Sequence, residues 1–385
     1  MAGALDPVEL TRELIRRPSV TPKDEGALAV LEGALKPLGF ACHRLPFSEA
    51  GTPDVDNLYA RFGTGGPHFC FAGHSDVVPV GDRAGWKLDP FGAEIVDGQL
   101  FGRGASDMKG AIAAFAAAAE KFLITRGGDF KGSISLLITG DEEGPAINGT
   151  AKVLKWLAGR NEKVDACVVG EPTSESALGD MMKIGRRGSL NAKLTVHGVQ
   201  THSAYPHLGD NPTHRIVRML DDLIGTELDK GNEWFPATNL QVTTIDVGNP
   251  ATNVTPATAR AGFNIRFNNN HNSADLKKWM KERCDAFGGR YELDVYVSGE
   301  AFLTQPGPLS SLVSDAVKDA TGRTPVLSTT GGTSDARFIC RHSPVVEFGL
   351  INRTIHKVNE CTAVADLRGL TTIYGGILDR FFGTS

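Results

Sequence analysis

The loop GDEEG (residues 140–144) sets two adjacent glutamates, Glu142 and Glu143, between glycines directly after the apolar run SISLLIT. A carboxylate released at the end of a buried segment loses hydration, so something positive has to face it. The pattern recurs. HFCFAG runs into His74 and Asp76, DACVVG into Glu171, and the glycine-bounded loop FGRGASDMKG offers Asp107. If these groups converge, bound cations are what relieves their mutual repulsion. Imidazole mixed with carboxylates, without paired thiols, favours a borderline divalent ion such as zinc, with cobalt or manganese also suited and calcium less so. Several carboxylates around two histidines exceed the needs of one tetrahedral ion, which predicts two metal ions sharing a carboxylate and a water. His356, in INRTIHKVNE after an apolar run, is the candidate second histidine.

The elements that would position these residues alternate in type. NLYARF, HFCFAG, SISLLITG and DACVVGEP read as strands, with helical stretches at 110–126 and 149–158. Pro7–Arg17 and Asp24–Leu38 carry apolar residues at helical spacing, with Thr21-Pro22 as a helix-start signal. This order predicts an α/β fold with a mixed, mostly parallel sheet between helices. In such sheets ligands gather beyond the carboxyl ends of strands, and those ends read AGHSD, TGDEEG and VGEPT. After Gly185 the texture changes: SLNAKLTVHG, TNLQVTTIDVG, ARAGFNIRFNN and YELDVYVSG alternate polar and apolar residues, with helical stretches at 210–228 and 273–286. That β-α-β-β-α-β order predicts a ferredoxin-like α+β domain over 188–299, inserted into a catalytic domain formed by 1–187 and 300–385. From Leu309 the alternation returns with SSLVSDAVKDAT, PVLSTT, PVVEFGL and a final helix, and NNN at 268–270 reads as a turn.

Composition narrows the function classes. A chain of 385 residues with 41% hydrophobic content can bury a large core, and a formal net charge of −5 with scattered Lys and Arg argues against a nucleic-acid partner. The alanine-rich run Gly110–Ala119 is too short to span a membrane and is flanked by Lys109 and Glu120. The N-terminal residues lack the pattern of a secretory leader. Six cysteines without a CxxC pair fit a reducing cytoplasm rather than a disulfide framework.

Taken together, GHSDVVP, GRGASDMKG, GDEEG, GEPT and TIHKVNE resemble, in this order and spacing, the motifs of the M20 family of two-zinc amidohydrolases and exopeptidases. The resemblance covers nearly the whole chain and implies a fold like that of the di-zinc aminopeptidases. It also implies His74, Asp107, Glu171, Glu143 and His356 as metal ligands, with Asp107 bridging the ions. Asp76 would orient His74, and Glu142 would act as general base. The segments DMMKIGRRGSLNAKLTVHGVQTHSAYPHLGDNP, GNPATNVTP, FNIRFNNNHN, STTGGTSDARFI and VVEFGLINRTIH are similar to the branch that acts on N-succinyl-LL-2,6-diaminopimelate. That substrate carries three carboxylates and a free amine, for which Arg186 and Arg266 supply cationic donors and Asn253, Thr333 and Asn352 neutral ones. The resemblance further implies a homodimer through the inserted domain, in which His202 reaches the partner's active site and stabilises the oxyanion.

Other readings stand beside these. Each motif alone has a structural reading: a hydrogen-bonded His74, a solvated GDEEG turn, Asp107 as a helix cap, a solvated basic face at Arg186 and Arg187. GRGASDMKG is glycine-rich but lacks the GxxxxGK[ST] spacing of a phosphate loop. Rival functions are a deacetylase of N-acetylornithine type or a dipeptidase within the same family, and a non-catalytic metal- or peptide-binding protein. Glu142 speaks against the last, since binding needs the ligands but not the base.

Overall fold

Phe69 and Phe71 alternate with Cys70 along the strand His68–His74, every residue of which is buried, so both faces of its sheet need cover. The computed structural model, which describes residues 4–127 and 130–383, supplies it. On one face Phe71 stacks on Phe115 of the helix Gly110–Arg126 at 4.5 Å between ring centroids, and Tyr374 of the helix Val364–Phe382 meets both rings edge-on at 5.5 and 5.7 Å. On the other, Cys70, Leu137 and Cys167 line a cavity with Leu154 and Leu157 of the helix Thr150–Ala158 and Ile339 of the helix Ala336–Ile339. Phe115→Ala is expected to destabilise this unit by about 3–5 kcal/mol through the lost burial and the cavity left behind, read as a lowered urea midpoint.

The chain forms two units. The first comprises residues 1–184, 304–328 and 334–385 and contains an eight-stranded sheet. In sheet order its strands are Ala41–Arg44, Leu58–Phe62, Ser133–Thr139, His68–His74, Ala166–Val169, Val345–Glu347, Met181–Lys183 and Val326–Ser328. The central neighbours Ser133–Thr139, His68–His74, Ala166–Val169 and Val345–Glu347 are mutually parallel, and antiparallel pairings occur on either side of them. This is the mixed, mostly parallel sheet between helices that the alternation of runs predicts. Among the described residues no helix is long and apolar enough to cross a membrane.

The second unit comprises residues 185–303 and 329–333. Its antiparallel sheet runs in the order Asn239–Asp246, Thr258–Phe267, Gly188–His197, Tyr291–Gly299. Numbered along the chain, that order is 2-3-1-4, the ferredoxin-like arrangement. Apolar side chains on one face of the sheet, including Leu190, Leu194, Phe263 and Ile265, pack with Ile216 and Leu220 of the helix Pro212–Gly225 and with Met280 of the helix Ser273–Asp285.

Two local features differ from the sequence reading. The joints fall at 184/185 and 303/304, beside the 187/188 and 299/300 of the reading, and the segment Thr329–Thr333 groups with the second unit. The second helix begins at Ala27 rather than Asp24, because Thr21-Pro22 lies in a turn and the Asp24 carboxylate accepts the amides of Gly26 and Leu28 just ahead of the helix.

Candidate active site

Parallel strands present their carboxyl ends on one edge. His74 closes the strand His68–His74 and pairs with Thr139 at the end of its neighbour, so the loop carrying Glu142 and Glu143 opens beside it. Glu171 follows the strand Ala166–Val169 on the other side. Asp107 arrives on the loop before the helix Gly110–Arg126, and His356 on the loop after the strand Val345–Glu347.

These side chains meet. His74 Nε2 lies 3.3 Å from Asp107 Oδ1 and 3.8 Å from Glu171 Oε1, while His356 Nε2 lies 3.0 Å from Asp107 Oδ2 and 2.9 Å from Glu143 Oε1. Two trios of candidate ligands thus share Asp107: His74, Asp107 and Glu171 on one side, and Asp107, Glu143 and His356 on the other. A third trio, His74 with Glu142 and Glu143, has the same compactness. His356 adopts φ 60°, a left-handed conformation that residues other than glycine seldom take and that functional sites concentrate.

The donor set fits a divalent cation. His74 Nδ1 lies 2.9 Å from the carbonyl oxygen of Asp76, which can only accept, so Nδ1 carries a hydrogen. A neutral ring would then direct the lone pair of Nε2 at Asp107 and Glu171, an arrangement that repels unless a cation or a proton lies between. Asp107 Oδ1 is buried and accepts no hydrogen bond. Ligands about 2.0–2.1 Å from a tetrahedral ion stand about 3.3 Å from one another, the scale of the contacts around Asp107.

The charges of the cluster also shift how its members titrate. Burial works against charge on His74, but Asp107 beside it raises its pKa well above the imidazole range. Hydrogen bonds to Asp107 and Glu143 push His356 up to about 10. Burial opposes ionisation of Asp107 too, yet His356 and His74 hold it below the usual carboxylate range. The Glu142 carboxyl is pushed well above its ordinary value by burial and by the charge of Glu171.

Asp76 does something the sequence reading does not assign to it. Its carboxylate accepts the amides of Glu142 at 3.3 Å and Glu143 at 3.1 Å, and burial pushes its pKa up to about 6. It therefore fixes the glutamate loop directly, while its main-chain carbonyl is the group that orients His74. Asp141, absent from the sequence reading, closes the same loop by accepting the amides of Ile147 and Asn148, each at 2.8 Å. Arg337 is also missed: its guanidinium is buried, with Nη1 3.8 Å from Glu142 Oε1, and Nε and Nη1 make no hydrogen bond. The signals were an acid inside the turn and an arginine in GGTSDARF.

Of the predicted substrate-contacting residues, Asn352 lies in the first unit, where its amide donates to the carbonyl of Ser174 at 2.8 Å. Arg186, His202, Asn253, Arg266 and Thr333 belong to the second. Arg186 is buried there with Nη1 donating to the carbonyl of Thr330 at 3.2 Å, and Gly331 at φ 105° leaves that guanidinium room that a Cβ would occupy at 2.3 Å. His202 is exposed, its Nδ1 accepting the amide of Ala204 at 3.0 Å. Asn253 accepts the amide of Ser203 through its carbonyl at 2.8 Å, and Arg266 Nε donates to Asn264 Oδ1 at 3.2 Å.

Known proteins resemble this chain in sequence or in fold. A succinyl-diaminopimelate desuccinylase from Parvibaculum lavamentivorans is 59% identical over 385 residues, covering 99% of this chain and 97% of that protein. Among solved structures, an M20 family metallo-carboxypeptidase from Sulfolobus solfataricus superposes with a TM-score of 0.78 at 17% identity, covering 98% of this chain and 99% of that one. A dinuclear metal-binding peptidase of the M20 family from Bacillus subtilis gives a TM-score of 0.71 at 15% identity, covering 96% of each. Residues 70–380, which span every one of the clustered side chains from His74 to His356, match Peptidase family M20/M25/M40, and the chain belongs to that family.

Proposed function

We propose that this chain hydrolyses the amide of N-succinyl-LL-2,6-diaminopimelate to succinate and LL-2,6-diaminopimelate, a step toward lysine and meso-diaminopimelate, using two divalent metal ions, Zn2+ in first place and Co2+ or Mn2+ as alternatives. The relatives named for this reaction support the substrate. What carries the chemistry is Asp107, whose two oxygens face His74 and His356 separately. His74, Asp107 and Glu171 would hold one ion, and Asp107, Glu143 and His356 the other. Such ions supply Lewis acidity toward the amide carbonyl and acidify water.

The chain's own residues supply the proton transfers. Glu142 accepts a proton from the attacking water as the new C–O bond forms, then gives it to the amine nitrogen as the C–N bond breaks. Asp76 keeps that carboxylate aimed by holding the amides on either side of it. Arg186, Arg266, Asn253, Thr333 and Asn352 would bind the substrate's carboxylates and amine, and His202 of the partner subunit would stabilise the oxyanion, which makes the working form a homodimer. Six free cysteines suit a cytoplasmic location.

A substrate panel tests the assignment. The succinyl compound is expected to be cleaved with a far higher kcat/KM than N-acetylornithine or a dipeptide; faster cleavage of either would overturn it. Metal uptake carries its own signature. Hydrogen bonds to Asp107 and Glu143 push His356 up to about 10, and His74 is raised as well, so metal loading at pH 8 is expected to release protons. Protons compete with the metal, so affinity rises as pH rises toward 10. In a weakly buffered indicator assay, His356→Ala should release about one proton fewer.

A further inference from the structure

Glu360 is fully buried, and both its oxygens are engaged. Oε2 accepts from Arg103 Nη1 at 2.9 Å and from the amide of Gly104 at 3.0 Å; Oε1 accepts the amides of Ser106 at 3.0 Å and Asp107 at 3.1 Å. A carboxylate survives such burial only when it is both paired and hydrogen-bonded. Here three of the four donors are main-chain amides of the loop that carries Asp107.

Arg103 extends the hold. Its Nη1 also donates to the carbonyl of Lys357 at 3.2 Å, next to His356, and its Nη2 to the carbonyl of Pro79 at 3.3 Å, on the segment that follows His74 and Asp76. One ion pair therefore ties together the three segments that bear His74, Asp107 and His356. The turn it grips is built closely: Gly104 sits at φ 86°, where a Cβ would lie 2.8 Å from Val77 Cγ1. An apolar pair of the same volume would fill this space equally well. It would also leave the amides of Gly104, Ser106 and Asp107 unpaired, and the Asp107 carboxylate would lose the constraint on its backbone.

We propose that Glu360 is a positioning residue for the metal centre. Through the amide of Asp107 it sets the orientation in which that carboxylate faces both histidines, and through Arg103 it joins the His356 loop to the same frame. The inference rests on the reading of the cluster as a divalent-metal site. Outer partners of this kind typically cost about 10–100-fold in metal affinity when replaced.

The test measures zinc affinity of chelator-stripped protein by competition with a chromophoric chelator, alongside the melting temperature of the metal-free form. Glu360→Gln, which places an NH2 group against the donors, is expected to bind zinc about 10–100-fold more weakly than the parent chain. Glu360→Asp keeps the charge opposite Arg103 but falls one methylene short; it too should bind more weakly, and it carries the test if the glutamine variant does not fold. Leu378→Ala, a buried core position on the helix Val364–Phe382, controls for lost stability and should lower the melting temperature while leaving zinc affinity unchanged. Parent-like zinc affinity in both Glu360 variants would overturn the inference, as would an equal loss of affinity in Leu378→Ala. A parent chain that bound no zinc would instead overturn the metal reading on which the inference stands.

Discussion

Glu142→Gln is expected to lower kcat by about 10²–10⁴-fold while metal content and KM stay near those of the parent chain. The substitution conserves shape and leaves the main-chain amide of residue 142 free to donate to Asp76 Oδ1. It removes the capacity to take up and return a proton, together with the negative charge that faces Arg337. The two ligand trios that share Asp107 do not include Glu142, so they keep every donor. The third trio, His74 with Glu142 and Glu143, makes the opposite case: were Glu142 a ligand, the variant would lose metal as well as turnover. Steady-state kinetics combined with metal analysis after desalting separates the two, and near-normal kcat would remove Glu142 from the proton-transfer role altogether.

The second large effect belongs to Asp107. Both ligand trios depend on it, because its Oδ1 faces His74 and its Oδ2 faces His356. Asp107→Ala is therefore expected to abolish detectable hydrolysis and to leave less than one ion per chain after desalting. His356→Ala should be milder, since the trio of His74, Asp107 and Glu171 is untouched and one ion remains. Equal metal retention in Asp107→Ala and the parent chain would separate Asp107 from the metal centre.

The difference between what the sequence announces and what it hides follows from how each residue is held. His74, Glu142, Glu143 and Glu171 stand where apolar runs stop at glycine, and a parallel sheet sends those ends to one edge, so their convergence is readable from local pattern. Half-exposed alternation likewise makes the four strands of the second unit legible. The supporting charges are not. Glu360 and Arg337 look like ordinary solvated residues, and their burial is decided by partners distant in sequence: the amides of Gly104, Ser106 and Asp107 for one, Glu142 for the other. Asp76, which the resemblance implies as the residue that orients His74, does meet the ring, but through its main-chain carbonyl, because the fold brings the amides of Glu142 and Glu143 to its carboxylate. The grouping of Thr329–Thr333 with the second unit has no signal in composition, because it depends on tertiary contacts such as the hydrogen bond that Arg186 donates to Thr330.

In the proposed centre Asp107 would serve two divalent ions. Anomalous diffraction from crystals of zinc-loaded protein, recorded on both sides of the zinc absorption edge, addresses it directly. Two anomalous peaks per chain are expected to flank the Asp107 carboxylate, one beside His74 and Glu171 and the other beside Glu143 and His356. A single peak away from Asp107, or none in fully loaded crystals, would contradict it.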